Sequence, residues 1–307
     1  MKEEKKATRQ SYGEALALLG EKNENIVVLD ADLSSATKTD IFAKKFPDRF
    51  FDMGIAENNM ISTAAGLASC GKIPYASTFA MFAAGRSYDQ IRNSVCYPNL
   101  NVKICATHSG ITVGEDGATH QMIEDLSIIR TLPNMKVLVP SDDIQTKWVV
   151  EEISKMNGPV YLRLARLATP IIYDENQKFE IGKAITIGDG KDATVFATGV
   201  TVYQALIAKE ELEKQGINIR VVDMHTIKPI DEETIINCAK ETKKLISIED
   251  HSIIGGLGSA ISEVLTKEYP TKLIRLGIKD TFGKSGKAEE LMKYFGITAK
   301  DIIKCLK

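Results

Sequence analysis

Three short stretches hold the residues whose types and spacing could do chemistry, and each follows what reads as the end of a strand. The first is Phe51-Asp52-Met53-Gly54-Ile55-Ala56-Glu57-Asn58-Asn59-Met60, running into Ala64-Ala65-Gly66-Leu67-Ala68. It reads as a strand end, a tight glycine turn and a helix packed closely through Ala and Gly. Glu57 falls in the first helical turn, where unpaired backbone donors and the dipole favour a carboxylate. An isolated glutamate at a helix start ordinarily faces solvent. Glu57 has small and apolar neighbours, so it is expected to point into an interior or an interface, where a carboxylate needs a partner.

The second stretch, Thr78-Phe79-Ala80-Met81-Phe82, follows the candidate strand Tyr75-Ala76-Ser77. Phe79 and Phe82 can share one helical or turn face and form an aromatic wall, although core packing alone also produces such pairs. The third runs from Thr107 to Gln121, with Gly110, Gly114, Gly117, Glu115 and Asp116. It carries His108 and His120, two of the chain's four histidines. This loop leaves a strand at Val102 to Cys105 and precedes a helix expected near Met122. In open α/β sheets the loops at the carboxyl ends of strands are where ligands bind. A metal site is not expected there, because no pair has the i, i+4 helical spacing of a typical ligand set.

The elements that must position these stretches come in two series. Ile26–Leu29, Val102–Cys105, Lys136–Val139 and Val160–Leu164 read as strands; Asn58–Ser69, Ser87–Cys96 and Asp142–Met156 have helical apolar spacing. After Leu167 periodicity is lost, and the polar run Asp174-Glu175-Asn176-Gln177-Lys178 marks a linker. A second series follows, with strands at Ala193–Ala197, Asn218–Val222, Lys244–Ile248 and Lys272–Leu276 and helices at Val202–Gln215 and Ser259–Lys267. The expected fold is α/β in two domains, residues 1–170 and a smaller 184–307 joined by 171–183. Each holds a mostly parallel sheet, with helices on both faces of the first.

The 307 residues suit two such domains, and 39 Lys+Arg against 41 Asp+Glu leave a net charge of -2, which does not draw a protein to nucleic acid or an anionic membrane. No apolar run approaches the roughly 20 residues that span a bilayer. The charged start Met1 to Lys6 lacks the apolar stretch of a secretory signal, so a cytoplasmic protein is expected. Cys70, Cys96, Cys105, Cys238 and Cys305 are widely spaced and form no Cys-x-x-Cys pair, which reads as reduced thiols rather than zinc or disulfides.

Taken together the three stretches resemble the pyrimidine-binding domain of the transketolase family. The resemblance extends over nearly the whole chain, including a C-terminal domain with Ile248-Glu249-Asp250-His251 and Gly255-Gly256-Leu257-Gly258. It implies a thiamine diphosphate enzyme. Glu57 falls on the glutamate of the family motif Gly-Ile-Ala-Glu, Phe79 and Phe82 on the aromatics that stack on the pyrimidine, and Asp32 on an aspartate near the thiazolium side. Gly-Glu-Asp-Gly-Ala-Thr-His-Gln falls on the substrate loop, with His120 implied beside the donor's carbonyl and Asp116 at the acceptor's hydroxyl. His108, Arg166 and Arg9 look like ligands of the phosphate end, for which the guanidinium fork is suited. Arg163 could equally be an ordinary ion-pair residue. In this family a buried glutamate hydrogen-bonds the aminopyrimidine, and packing in a low-dielectric wall favours a carboxyl that can hold a proton.

Departures from the family pattern fall on the substrate side. Ala36 stands where a phosphate-binding serine is common, Ser109 where an Asp often follows the histidine, and Gly85 where a further stacking aromatic is often found. Gly188-Asp189-Gly190 followed by Asn218 imitates a diphosphate and magnesium motif. It is rejected, because Asp189 reads as part of a turn between two strands and Asn218 precedes another. The Gly255–Gly258 cluster resembles a dinucleotide fingerprint only loosely. The resemblance therefore implies a pyrimidine domain without its diphosphate domain. A separate N-terminal-half subunit would carry the diphosphate and Mg2+, with two copies of each chain. The nearest rivals are the beta subunit of a 2-oxo acid dehydrogenase first component, half of a deoxyxylulose phosphate synthase, and a catalytically silent scaffold subunit.

Overall fold

A computed structural model describes residues 4–307, so the first three residues of the charged start lie outside the described residues. The strands, in chain order, are β1 (Lys5–Ala7), β2 (Ile26–Asp30), β3 (Phe50–Asp52), β4 (Ile73–Phe79), β5 (Lys103–Thr107), β6 (Lys136–Leu138) and β7 (Val160–Arg163). They continue as β8 (Ala168–Pro170), β9 (Ile185–Ile187), β10 (Ala193–Ala197), β11 (Ile219–Asp223), β12 (Thr226–Lys228), β13 (Leu245–Ser252) and β14 (Leu273–Ile278). The first large sheet has seven strands in the order β12-β6-β7-β5-β4-β2-β3, all parallel except β12. The second has five, β14-β13-β10-β11-β9, with only β9 antiparallel.

The central strands β2, β5, β7, β10 and β11 are buried at every position, as expected for parallel strands covered on both faces. Their runs of Val, Ile and Leu are the signal that periodicity picked out. Two pieces of structure lay outside that signal. Ala168–Pro170, at the start of the aperiodic stretch, pairs antiparallel with β1, tying that stretch back to Lys5–Ala7. Thr226–Lys228 crosses from the second series to the edge of the first sheet, pairing with β6. The apolar core follows the same path. Phe196, Val222, Met224 and Ile227 share one cluster with Val27, Ile104 and Tyr161.

Because six strands of the first sheet run parallel, their carboxyl ends lie along one edge. Asp32 follows β2, Glu57 follows β3, Phe79 ends β4, His108 follows β5 and Arg166 follows β7. Topology thus gathers onto one edge residues spread over more than a hundred positions.

Candidate active site

Glu57 opens the helix Glu57–Ser69 with only 4% of its surface exposed. Ala64 and Ala65 of that helix are buried, and these small side chains let it lie close to the sheet. The partner a buried carboxylate requires is Arg86, whose Nη1 donates to Glu57 Oε1 at 2.8 Å. The same guanidinium lies over the Phe82 ring, 4.1 Å from its centroid. Glu57 is therefore not lined by an apolar wall alone, as the resemblance led one to expect. A planar cation bridges it to that wall. Arg86 was not picked out from sequence, although its position four residues after Phe82 is the spacing that puts two side chains on one helical face.

Phe79 and Phe82 stack with centroids 5.8 Å apart and planes 12° from parallel. The turn that presents Phe82 is a wide π-helical one, Met81–Arg86, a distortion common beside functional sites. Ser87–Cys96, read as a plain helix, is a short α-turn followed by a second π-helical segment, Ile91–Cys96. His120 meets Phe82 edge-on at 5.5 Å and Phe79 at 6.5 Å. His108 lies flat on the other neighbour, 3.8 Å from Phe79. Four of the residues singled out from sequence thus form one aromatic cluster.

His108 is buried and held in a left-handed conformation, φ 54°. Arg9 Nη1 lies 3.0 Å from its Nε2, and because a guanidinium can only donate, that nitrogen accepts. The proton is then on Nδ1, directed to Thr107 Oγ1 at 2.9 Å. Burial, then the charges of Arg9 and Arg166, push the imidazole down to about 3, so it is neutral near pH 7. Arg9 also donates to the Ala36 carbonyl at 2.9 Å. Its own pKa is lowered, by burial first and then by Arg166. Both ring nitrogens of the neutral imidazole are thus engaged within the protein, and the two guanidiniums of Arg9 and Arg166 are the donors suited to an oxyanion.

Arg166 donates to the Val113 carbonyl at 2.6 Å and faces Asp116 at 3.5 Å and Glu115 at 3.8 Å. Asp116 is exposed, and His120 is half-buried with Nδ1 3.0 Å from Thr119 Oγ1. Asp32 stands apart. It is exposed, has φ 61°, and its backbone N–H bonds the Asp52 carboxylate, while the buried acid of its turn is Asp30. Asp30 accepts from Leu33, Thr37 and Thr39, and burial raises its carboxyl to about 6. Of the three departures, Ser109 is buried and donates to Leu164, and Gly85 sits inside the π-turn against Met81.

Some local expectations are corrected. The helix placed near Met122 begins at Asp125, because Met122 still bridges to Ser109 and the Ile123 carbonyl accepts from Ser252. Arg163 is an ion-pair residue, buried against Asp125 at 2.8 Å. At Gly255–Gly258 the backbone donors of the following helix are taken by Glu249, which accepts from Leu257 at 2.6 Å and Gly258 at 2.9 Å. A phosphate there would meet the protein's own carboxylate. Gly188-Asp189-Gly190 is the turn between β9 and β10, with Gly190 packed on the Asn218 backbone. Among the described residues no three His, Cys, Asp or Glu converge as a metal cluster, and no helix is long and apolar enough to cross a membrane.

Residues 4–171 match the pyrimidine binding domain of transketolase and residues 182–302 the transketolase C-terminal domain. The chain belongs to the transketolase family. It is 55% identical over 302 residues to a Methanocaldococcus jannaschii protein named for the C-terminal section of transketolase, covering 97% of this chain and 95% of that one. It is 43% identical to a 6-deoxy-6-sulfo-D-fructose transketolase subunit from a Clostridium species, over 96% and 92% of the two chains. Its fold matches a split gene transketolase solved as an inactive beta4 tetramer, with a TM-score of 0.91, 51% identity and coverage of 98% and 97%. Against the rat transketolase the chain aligns over 99% of its length but spans 49% of the relative. The transketolase-family chain is therefore built as a C-terminal section, and the dehydrogenase and synthase alternatives are not favoured.

Proposed function

We propose that this chain is the cofactor-activating half of a two-chain transketolase, moving a two-carbon ketol unit from a ketose phosphate to an aldose phosphate. Bound thiamine diphosphate would supply the carbanion chemistry at which the carbon-carbon bond breaks and re-forms. The fit of the pyrimidine end is supported by Arg86, a flat, nitrogen-rich donor that already engages Glu57 and lies on Phe82. Glu57 Oε1 would take a ring nitrogen in the guanidinium's place and hold the proton that sets the ring's tautomer. Phe79 and Phe82 would wall the ring and exclude water, with Asp32 on the thiazolium side. Arg86 is half-exposed, so it can turn outward to solvent while a ring nitrogen takes its place on the buried Glu57.

On the substrate side His120, edge-on to Phe82, would stand beside the donor carbonyl and move a proton there. Asp116 would receive the acceptor's hydroxyl. Arg9, His108 and Arg166 would hold the anionic end. The Clostridium relative's name points to a sulfonate-bearing ketose, and a tetrahedral sulfonate offers these donors the same three oxygens as a phosphate. Diphosphate and Mg2+ would be bound by an N-terminal-half subunit, two copies of each chain assembling in the cytoplasm. The near-complete coverage of split relatives, against half of single-chain ones, supports that partner.

The observation that carries this reading is Glu57, buried, at the parallel-sheet edge, with its carboxylate joined through Arg86 to the Phe82 ring. Mixing the chain with its partner subunit and thiamine diphosphate should restore ketol transfer from xylulose 5-phosphate. Turnover by this chain alone would reject the two-chain reading, and full activity of a Glu57→Gln complex would leave only a scaffold role.

A further inference from the structure

Between Ile111 and Gln121 the backbone of the loop carrying Asp116 and His120 is closed internally only by short turns, with the Gly114 N–H donating to Ile111, the Gly117 N–H to Gly114, and the His120 and Gln121 N–H groups to Gly117. Within ten residues His108, Gly110, Gly114 and Gly117 all have positive φ, and its only regular element is the 3-10 turn Ile111–Val113. Its two ends are instead rooted in the second domain. Ile111 and Ile123 belong to that domain's core, packed with Val195, Ile246 and Ile278.

At the front, the fully buried Asp250 of β13 grips the turn. Its Oδ1 accepts from the Ile111 N–H at 2.8 Å, and its Oδ2 accepts from Thr112 Oγ1 at 2.7 Å and the Thr112 N–H at 3.3 Å. Gly110 is required there, since a β-carbon would lie 2.2 Å from Asp250 Oδ2. At the back, Gln121 Nε2 donates to the carbonyls of Gly114 at 3.0 Å, Ile111 at 3.3 Å and Lys284 of the second domain at 2.8 Å. Between the two grips Gly117 rests against Ser285, and Glu115, Asp116 and Thr119 stand exposed.

We infer that Asp250 is a positioning residue through which the C-terminal domain sets the place of Asp116 and His120 relative to the Phe79–Phe82 wall. Its carboxylate accepts from the Ile111 and Thr112 donors at the root of the loop, so the substrate-facing side chains take their geometry from the second domain as well as from Arg166 of the first. Glu57, Phe79 and Phe82 lie outside the clamp and do not depend on it. The consequence for substrate rests on the two-chain transketolase reading. The clamp itself does not.

Hydrogen exchange of the chain alone separates the two. Asp250→Asn should speed exchange of the amides in residues 110–121 about tenfold or more, the scale of one lost charged hydrogen bond, while β4 and β5 stay protected. Asp223→Asn is the control. Asp223 is equally buried and also ties the two domains, through Ser141, Gln145 and Tyr173, but touches no residue of the loop. Thr112→Val, which removes one donor from the loop side, should act in the same direction more weakly and decides the matter if Asp250→Asn does not fold. In the reconstituted complex Asp250→Asn should lower kcat/KM for the sugar about tenfold or more with thiamine diphosphate affinity unchanged. Unaltered loop exchange in Asp250→Asn and Thr112→Val, or equal acceleration in Asp223→Asn, overturns the clamp. Failure of every complex to turn over sugar phosphate rejects the two-chain reading and leaves the exchange result standing.

Discussion

Glu57–Arg86 and Asp125–Arg163 each join a buried carboxylate to a guanidinium at 2.8 Å. Around Asp125 the guanidinium is buried too, with its side chain 5% exposed against 50% for Arg86. Arg163 also donates to the carbonyls of Asp250 and Met122, and Tyr161 shares Asp125. His251, which faces Asp125 Oδ1 and Glu249 at 3.8 and 3.7 Å, is pushed by burial down to about 4 and stays neutral. The inner pair is sealed, so its geometry is fixed and it joins the domains. The outer pair has one partner free to leave. Burial of the cation, not the length of the bond, separates a structural carboxylate from one poised to change partners.

The comparison can be broken most directly by removing each arginine. Arg163→Met leaves the buried Asp125 without its cation and is expected to cost about 3–5 kcal/mol in chemical denaturation, whereas Arg86→Met, which opens the buried Glu57 to solvent on one side, should cost less, about 1–2 kcal/mol. Equal losses would show that the two pairs are of one kind. Next in size, Glu57→Gln should reduce ketol transfer by the reconstituted complex about 100-fold or more while moving the denaturation midpoint of the chain little.

His108 tests the site's electrostatics. Its folded pKa, near 3, lies below the unfolded value, 6.5, so the unfolded chain binds a proton the folded chain refuses. Stability from this residue is complete above about pH 6.5 and is lost as pH falls toward 3, about 2 kcal/mol by pH 5. His108→Asn should remove that part of the acid sensitivity, seen as a smaller drop in denaturation midpoint between pH 7 and pH 5 than in the unaltered chain. The smallest effect expected is on cofactor affinity. If Arg86 occupies the pyrimidine's place, Arg86→Met should tighten thiamine diphosphate binding to the complex by a factor of about three, measured by calorimetry, and weaker binding would assign Arg86 to holding the cofactor instead.

Much of the site was legible because its pieces are local. A buried Val-Ile run, a glycine turn and a following acid, aromatic or histidine can be read within a dozen residues, and a parallel sheet then forces such strand ends to one edge. Glu57, Phe79, Phe82, His108 and His120 were singled out that way, and the fold brings the last four into one aromatic cluster. Arg86 was not singled out, although it follows Phe82 by four residues, and the burial of Asp30 beside the exposed Asp32 could not be read from two nearby aspartates.

The succession of buried strands along the chain, the glycine-rich loop and the acid at a helix start were written in neighbouring residues, so the amino-acid sequence alone determined them. The crossing of Thr226–Lys228 to the first sheet, the choice of Arg86 as Glu57's partner and the grip of Asp250 on a loop 138 and 139 residues away were decided only in three dimensions. Each of these depends on which unpaired donor or acceptor remains nearest once the cores have packed, and a chain read in order carries no measure of that distance.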